Sequence, residues 1–135
     1  MPRIYYTLEE ANKILPEIKN KLMDLIELKE AIAVLGTINI SFDDLEEDYL
    51  NNIKMGKKFH KLHYNFFKLL EELEGGGVFI KDLSQGLIDF YSKFEGRDIL
   101  LCWKFGENEI NYWHEIADGF NGRQPVDILK KENEN

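Results

Sequence analysis

Along the first part of the chain, apolar side chains return every three or four residues: Ala11, Ile14, Leu15, Ile18, Leu22, Leu25 and Ile26. That is the helical period, and it predicts an amphipathic helix with one buried stripe. Thr7 opens it as the capping residue, and Glu10, three positions on, is spaced to reach back as in a capping box. Pro16 removes a backbone donor and predicts a kink or a break near Lys13. The apolar register continues past it, so the reading is one long, bent helix from Leu8 to about Val34, ended by Gly36.

Ser41, with Asp44 three residues later, marks a second start. From Phe42 to Glu74 the positions Leu45, Tyr49, Ile53, Phe59, Leu62, Phe66, Leu69, Leu70 and Leu73 track a second helix. Gly56 weakens its middle by about 1 kcal/mol relative to Ala. Two long helices with a short connection predict an antiparallel helical hairpin over residues 8–34 and 42–74.

Gly75-Gly76-Gly77 punctuates the chain, and the pattern changes there. Val78–Lys81, Leu87–Tyr91 and Asp98–Lys104 read as short strands, separated by a turn at Asp82–Gly86 and a hairpin loop at Lys93–Arg97. They predict a three-stranded antiparallel meander over 78–104 with one face on the helices. The segment Glu107–Asp118, between Gly106 and Gly119, reads as a short C-terminal helix. The expected class is therefore α+β, in a single domain over 1–127 with a frayed polar tail at 128–135.

Composition narrows the function classes. A chain of 135 residues with 44% apolar and 13% aromatic side chains is globular and long enough for a core of its own. The net charge is −8, evenly spread: residues 1–75 carry 10 basic and 14 acidic groups, and residues 76–135 carry 7 and 11. That excludes a general nucleic-acid binder, which needs clustered cations to neutralise phosphates. The densest basic stretch, Lys54, Lys57, Lys58 and Lys61, fits the wet face of a helix. The single Cys102 excludes an internal disulfide and predicts a reducing compartment. The N-terminus lacks an apolar signal core, and no apolar run approaches the roughly 18 residues of a membrane span. A cytoplasmic protein without membrane association is expected.

The candidate chemistry lies late in the chain. On a helix at about 100° per residue, Glu107, Asn111, His114 and Asp118 fall within about 60° of one another. Ile110, Trp113 and Ala117 form the adjacent docking stripe, and Glu115 flanks the row on the solvent side. One imidazole beside carboxylates suits general acid–base catalysis, or a divalent metal held by His114 and Glu107. It equally suits a surface helix with a structural histidine, and no paired-histidine zincin pattern accompanies it. His60 and His63 have metal-ligand spacing on the second helix but lack a third ligand. Asp89 stands between Leu87 and Tyr91 on one strand face, which requires exposure or a paired charge; Lys81, Asp82 and Arg123 are the candidate partners. Cys102 reads as a buried, inert thiol. Gly119 and Gly122 flank Phe120 and precede Arg123-Gln124-Pro125, which makes either an anion-accepting loop with Arg123 as its fork or a plain turn.

Several ordered motifs, namely Tyr6-Thr7-Leu8-Glu9-Glu10-Ala11-Asn12 with Leu15-Pro16, Lys81-Asp82 with Gly86-Leu87-Ile88-Asp89-Phe90, and Leu101-Cys102-Trp103 with Gly106-Glu107, resemble one prokaryotic family. Trp113-His114-Glu115 and Gly119-Phe120 with Gly122-Arg123-Gln124-Pro125 extend the match, so that it runs from Tyr5 to Pro125. The family is domain-of-unknown-function family 2203. The resemblance implies a small stand-alone prokaryotic protein and assigns no substrate and no catalytic roles; His60 and His63 fall outside its motifs.

The expected function is a self-associating binding or structural module, homodimeric through its long helices, with a polar site of Asn111, Trp113, Asp118 and Arg123 at the last helix. The rival is a metal-assisted hydrolase or other small-molecule enzyme, with His114, Glu107 and Asp89 converging where sheet and last helix meet.

Overall fold

A computed structural model describes residues 3–36 and 45–133. Helix α1 spans Leu8–Gly36 and continues through Pro16. It starts where the capping pattern places it: the Glu10 N–H donates to Thr7 Oγ1 at 3.1 Å and the Ala11 N–H to the Thr7 carbonyl at 2.9 Å. Helix α2 spans Leu45–Gly75; its expected start signal at Ser41 and Asp44 lies outside the described residues.

The chain divides into two compact units, Met1–Leu22 with Leu73–Asn135, and Met23–Glu72. The second unit holds the later turns of α1 and most of α2. There Leu25 is fully buried, and a Cβ added at Gly36 would touch the Phe59 ring at 3.9 Å.

The first unit carries the sheet. Strands β1 (Val78–Asp82), β2 (Leu87–Phe94), β3 (Arg97–Lys104), β4 (Tyr112–Glu115) and β5 (Gln124–Pro125) lie in chain order, each antiparallel to the next. The first three are the expected meander. Asp82 closes the β1–β2 turn by accepting from the Ser84 hydroxyl at 2.6 Å and the Gln85 N–H at 3.3 Å. Glu95 and Gly96 turn β2 into β3 with φ of 50° and 77°, the left-handed pair that matches the strand twist.

The end of the chain corrects the expectation: the sheet has five strands where the sequence pattern predicts three, and Glu107–Asp118 is not a helix. Its centre is β4, with Trp113 opposite Leu101 and His114 opposite Leu100. A four-residue run of Tyr, Trp, His and Glu suits a strand as well as a helix, and the open edge of β3 decides between them. The short C-terminal helix lies instead at Asp127–Asn133 (α3), within the tail read as frayed. Val126 and Leu129 are buried there, and the Val126 N–H donates to the Asn111 carbonyl at 3.0 Å.

One face of the sheet builds the core. Val78, Ile88, Phe90, Phe94, Ile99, Leu101, Trp103 and Trp113 share it by register and are buried, as are Leu8, Ala11, Leu15, Ile18 and Leu22 of α1. Lys19 lies over the Trp103 ring, and Asn12 Oδ1 accepts from the Ile110 N–H at 2.7 Å, which ties the first turns of α1 to this face. Among the described residues no helix is long and apolar enough to cross a membrane.

Candidate functional site

The opposite face of the sheet holds the polar centre. Alternation along β2 puts Asp89 on it, and pairing sets Cys102 of β3 directly across. On β4 the same alternation sends Trp113 to the core and His114 to the Asp89 side. All three are sealed from solvent: Asp89 is 0% exposed, Cys102 1% and His114 1%. One donor atom from each lies within 4.8 Å of the other two.

Hydrogen bonding assigns the protons. His114 Nδ1 is 2.8 Å from the Glu115 carbonyl oxygen. A carbonyl only accepts, so Nδ1 carries hydrogen and donates. The other ring nitrogen, Nε2, faces Asp89 Oδ1 at 3.3 Å. In a neutral imidazole this nitrogen is a lone pair, and the aspartate oxygen is also an acceptor, so the contact needs a proton or another cation between them. Asp89 Oδ2 is buried without a hydrogen-bond partner among the described residues. Lys81 Nζ lies 3.7 Å from it, on a partly exposed side chain. Burial first, and the Asp89 charge second, push the Cys102 thiol up to about 12, so it is protonated at neutral pH.

A second polar pair sits nearby. Arg123 Nη2 donates to both Glu107 carboxylate oxygens at 2.7 Å, and the Lys104 N–H donates to Glu107 Oε1 at 2.7 Å. The guanidinium also lies 4.1 Å from the Tyr112 ring centre and 4.6 Å from that of Phe120. Phe120–Gly122 forms a single 3-10 turn, tight enough that a Cβ on Gly122 would lie 2.6 Å from Asp118 Cβ.

The helical row of Glu107, Asn111, His114 and Asp118 is therefore dispersed. His114 joins Asp89, Glu107 joins Arg123, and Asn111 and Asp118 are exposed. Trp113 donates from Nε1 to the Pro125 carbonyl at 3.2 Å and packs on Phe94, on the far side of the sheet from His114. Arg123 is the clasp of Glu107. Of the three partners named for Asp89 on sequence grounds, Lys81 is the one in place. Cys102, which the sequence pattern presents as an inert thiol, stands directly opposite Asp89 on the adjacent strand, and the strand pairing is what makes it a member of the centre.

A separate surface belongs to α2. Ile53, His60, Tyr64 and Phe67 repeat at seven-, four- and three-residue spacing on one side of the helix, and all four are exposed. Tyr64 is 67% and Phe67 59% exposed. His63 stacks on Phe67 and meets Phe59 edge-on.

With this geometry in place, comparison with known families identifies the chain's relatives. The family model described as Uncharacterized conserved protein (DUF2203) matches residues 4–126. The chain belongs to this family. No curated protein and no solved structure matches it. The DUF2203 match takes in α1, α2, all five strands, Asp89, Cys102, His114 and the Glu107–Arg123 pair, and it ends at Val126, before α3.

Proposed function

We propose that the protein is a self-associating binding module that works through the outward face of α2, not an enzyme acting at the buried centre. The observation that carries this reading is the exposed row of Ile53, His60, Tyr64 and Phe67. Tyr64 and Phe67 are aromatic side chains more than half exposed in a solvated position, the arrangement that association relieves.

The fitting occupant is a second copy of the same helix, because its charges complement themselves. An antiparallel pair of α2 helices crossing at Tyr64 sets Lys57 of each copy opposite Glu71 of the other, seven residues to either side. Lys57 and Glu71 are both exposed. Covering Tyr64 and Phe67 of both copies, which are already partly buried, supplies about 6 kcal/mol. Association itself costs about 4–15 kcal/mol, so the dimer is weak and concentration-dependent. The antiparallel α1–α2 hairpin is part of the same proposal, supported by the groove that Leu28 and Ala31 of α1 line together with Leu69 of α2. A cytoplasmic setting fits the lone thiol.

A hydrolytic reading draws on the Asp89–His114 contact. Exposures of 0% and 1% at those residues support holding over turnover, since a substrate needs to reach the reacting groups. Sedimentation equilibrium tests the proposal. The weight-average mass should rise from 15.9 kDa toward twice that value with concentration, and Tyr64→Glu with Phe67→Glu should abolish the rise. A mass that stays at 15.9 kDa up to millimolar protein refutes it.

A further inference from the structure

We propose that Asp89, Cys102 and His114 form a three-ligand site for one divalent transition cation of borderline softness, zinc being the chemical type. Three observations converge. First, the Glu115 carbonyl holds hydrogen on His114 Nδ1 and leaves Nε2 as the ligating lone pair, the arrangement that orients metal-bound histidines. Second, Nε2 and Asp89 Oδ1 face each other at 3.3 Å as two acceptors, which a cation between them reconciles. Third, Asp89 Oδ2 is buried without a hydrogen-bond partner among the described residues, so the carboxylate retains unused acceptor capacity.

The donor set selects the ion. A sulfur and an imidazole nitrogen disfavour calcium and magnesium, which take oxygen ligands, and suit zinc, cobalt or ferrous iron. Donor atoms within 4.8 Å of one another need to close by at most about 1 Å to reach the roughly 3.3–3.8 Å spacing implied by zinc–ligand bonds of about 2.0–2.3 Å in a tetrahedron, a change that side-chain rotation supplies. Binding converts the Cys102 S–H to a thiolate–metal bond and releases that proton to solvent. A dication with one thiolate and one carboxylate is neutral overall, which a buried site tolerates better than a lone charge.

Lys81 enters as the competitor. Its ammonium lies 3.7 Å from Asp89 Oδ2 on a side chain one-third exposed, so it is free to swing out when a dication takes its place. Its removal should strengthen metal binding, by about tenfold on the scale of outer-shell effects.

The test is a titration of metal-stripped protein with cobalt(II), read by absorption, together with zinc competition. The expected result is one cobalt per chain, with thiolate-to-cobalt charge-transfer absorption in the near ultraviolet that zinc displaces. Cys102→Ser should lose that absorption, and Lys81→Met should bind more tightly. His114→Gln, read by the same absorption and by thermal unfolding with and without zinc, serves if Cys102→Ser does not fold. Absence of any charge-transfer absorption in the parent overturns the inference. So does zinc binding that survives both Cys102→Ser and His114→Gln but disappears in a His60→Gln, His63→Gln variant. The sedimentation experiment addresses α2 alone, so the two proposals stand or fall separately.

Discussion

Removal of Arg123 measures what its clasp on Glu107 contributes to the stability of the polar face. Its side chain is 13% exposed and that of Glu107 19%, so the pair is mostly desolvated and screening is weak. Replacement by Met removes the charge-assisted hydrogen bonds from Nη2 to Glu107, worth about 1.5–3 kcal/mol. It also removes the cation–π contacts with Tyr112 and Phe120, together about 1–2 kcal/mol. Two effects offset these. Glu107 keeps the Lys104 N–H, and the substitution eliminates Arg123 Nε, which is buried without a partner among the described residues. Relieving that orphan returns about 1 kcal/mol. The net expectation for Arg123→Met is a loss of about 2–4 kcal/mol in urea unfolding, with the m-value unchanged. Arg123→Lys should lose about half as much. One Nη2 contacts both carboxylate oxygens, and an ammonium can replace it, whereas the stacked planar surface is not replaced. A Glu107→Gln, Arg123→Met cycle should then show coupling of about 1–3 kcal/mol. Additivity of the two single variants would refute the assignment of Arg123 as the clasp of Glu107.

The turns, the buried thiol and the surface ion pairs each have a measurable consequence. Gly86 has φ of 64°, and a Cβ there would sit 1.9 Å from Phe105 Cδ2, so Gly86→Ala should cost about 2–5 kcal/mol by urea unfolding. Gly96, at φ 77° but with nothing near its would-be Cβ, should lose only about 1–2 kcal/mol on the same change; equal losses would show that Phe105 is not the obstacle. Because Cys102 titrates at about 12 in the folded chain against 9.0 ordinarily, the folded state keeps a proton that the unfolded state releases. Stability should therefore fall between those two pH values by up to about 1.4 kcal/mol per unit, and Cys102→Ala should flatten that slope. Native Cys102 should also resist alkylation at pH about 8 and react once unfolded, and rapid labelling of folded protein would contradict its burial. Arg97 holds the Glu115 carboxyl below the usual carboxylate range, and Lys93 first, then Tyr5 and Arg3, do the same for Asp98. These contributions are present above pH about 4 and are lost as pH falls through the lowered values. Arg97→Gln should bring the Glu115 midpoint back up in a carboxyl NMR titration, and an unmoved midpoint would contradict the pairing.

Much of the architecture is legible where local chemistry and long-range packing agree. The Thr7 cap, the stripe from Ala11 to Leu25 and the glycine turns at Gly86 and Gly96 depend on neighbours a few positions away, and each is found as expected. Helix α1 crosses Pro16 because its apolar register holds on both sides. The candidate site was half legible. His114 and Asp89 stood out as polar residues in apolar surroundings, but the helical row that was to organise them does not exist.

The reason is the physical range of the signal. Ile110, Trp113 and Ala117 satisfy a helical period, while Trp113 and His114 satisfy a two-residue alternation equally well over so short a stretch. Pairing with β3 chose the second, and alternation then turned His114 away from Trp113 and toward a carboxylate 25 positions earlier. The same register sets Cys102 opposite Asp89. The tail became α3 because Val126 and Leu129 found a core to enter. The sequence by itself determined the two long helices, the turns, the acidic surface and which polar side chains stand in apolar surroundings, because these rest on spacing along one element. Only the tertiary structure decided that Asp89, Cys102 and His114 meet and that Glu107 belongs to Arg123, because strand register brings distant residues together and leaves no trace in local periodicity.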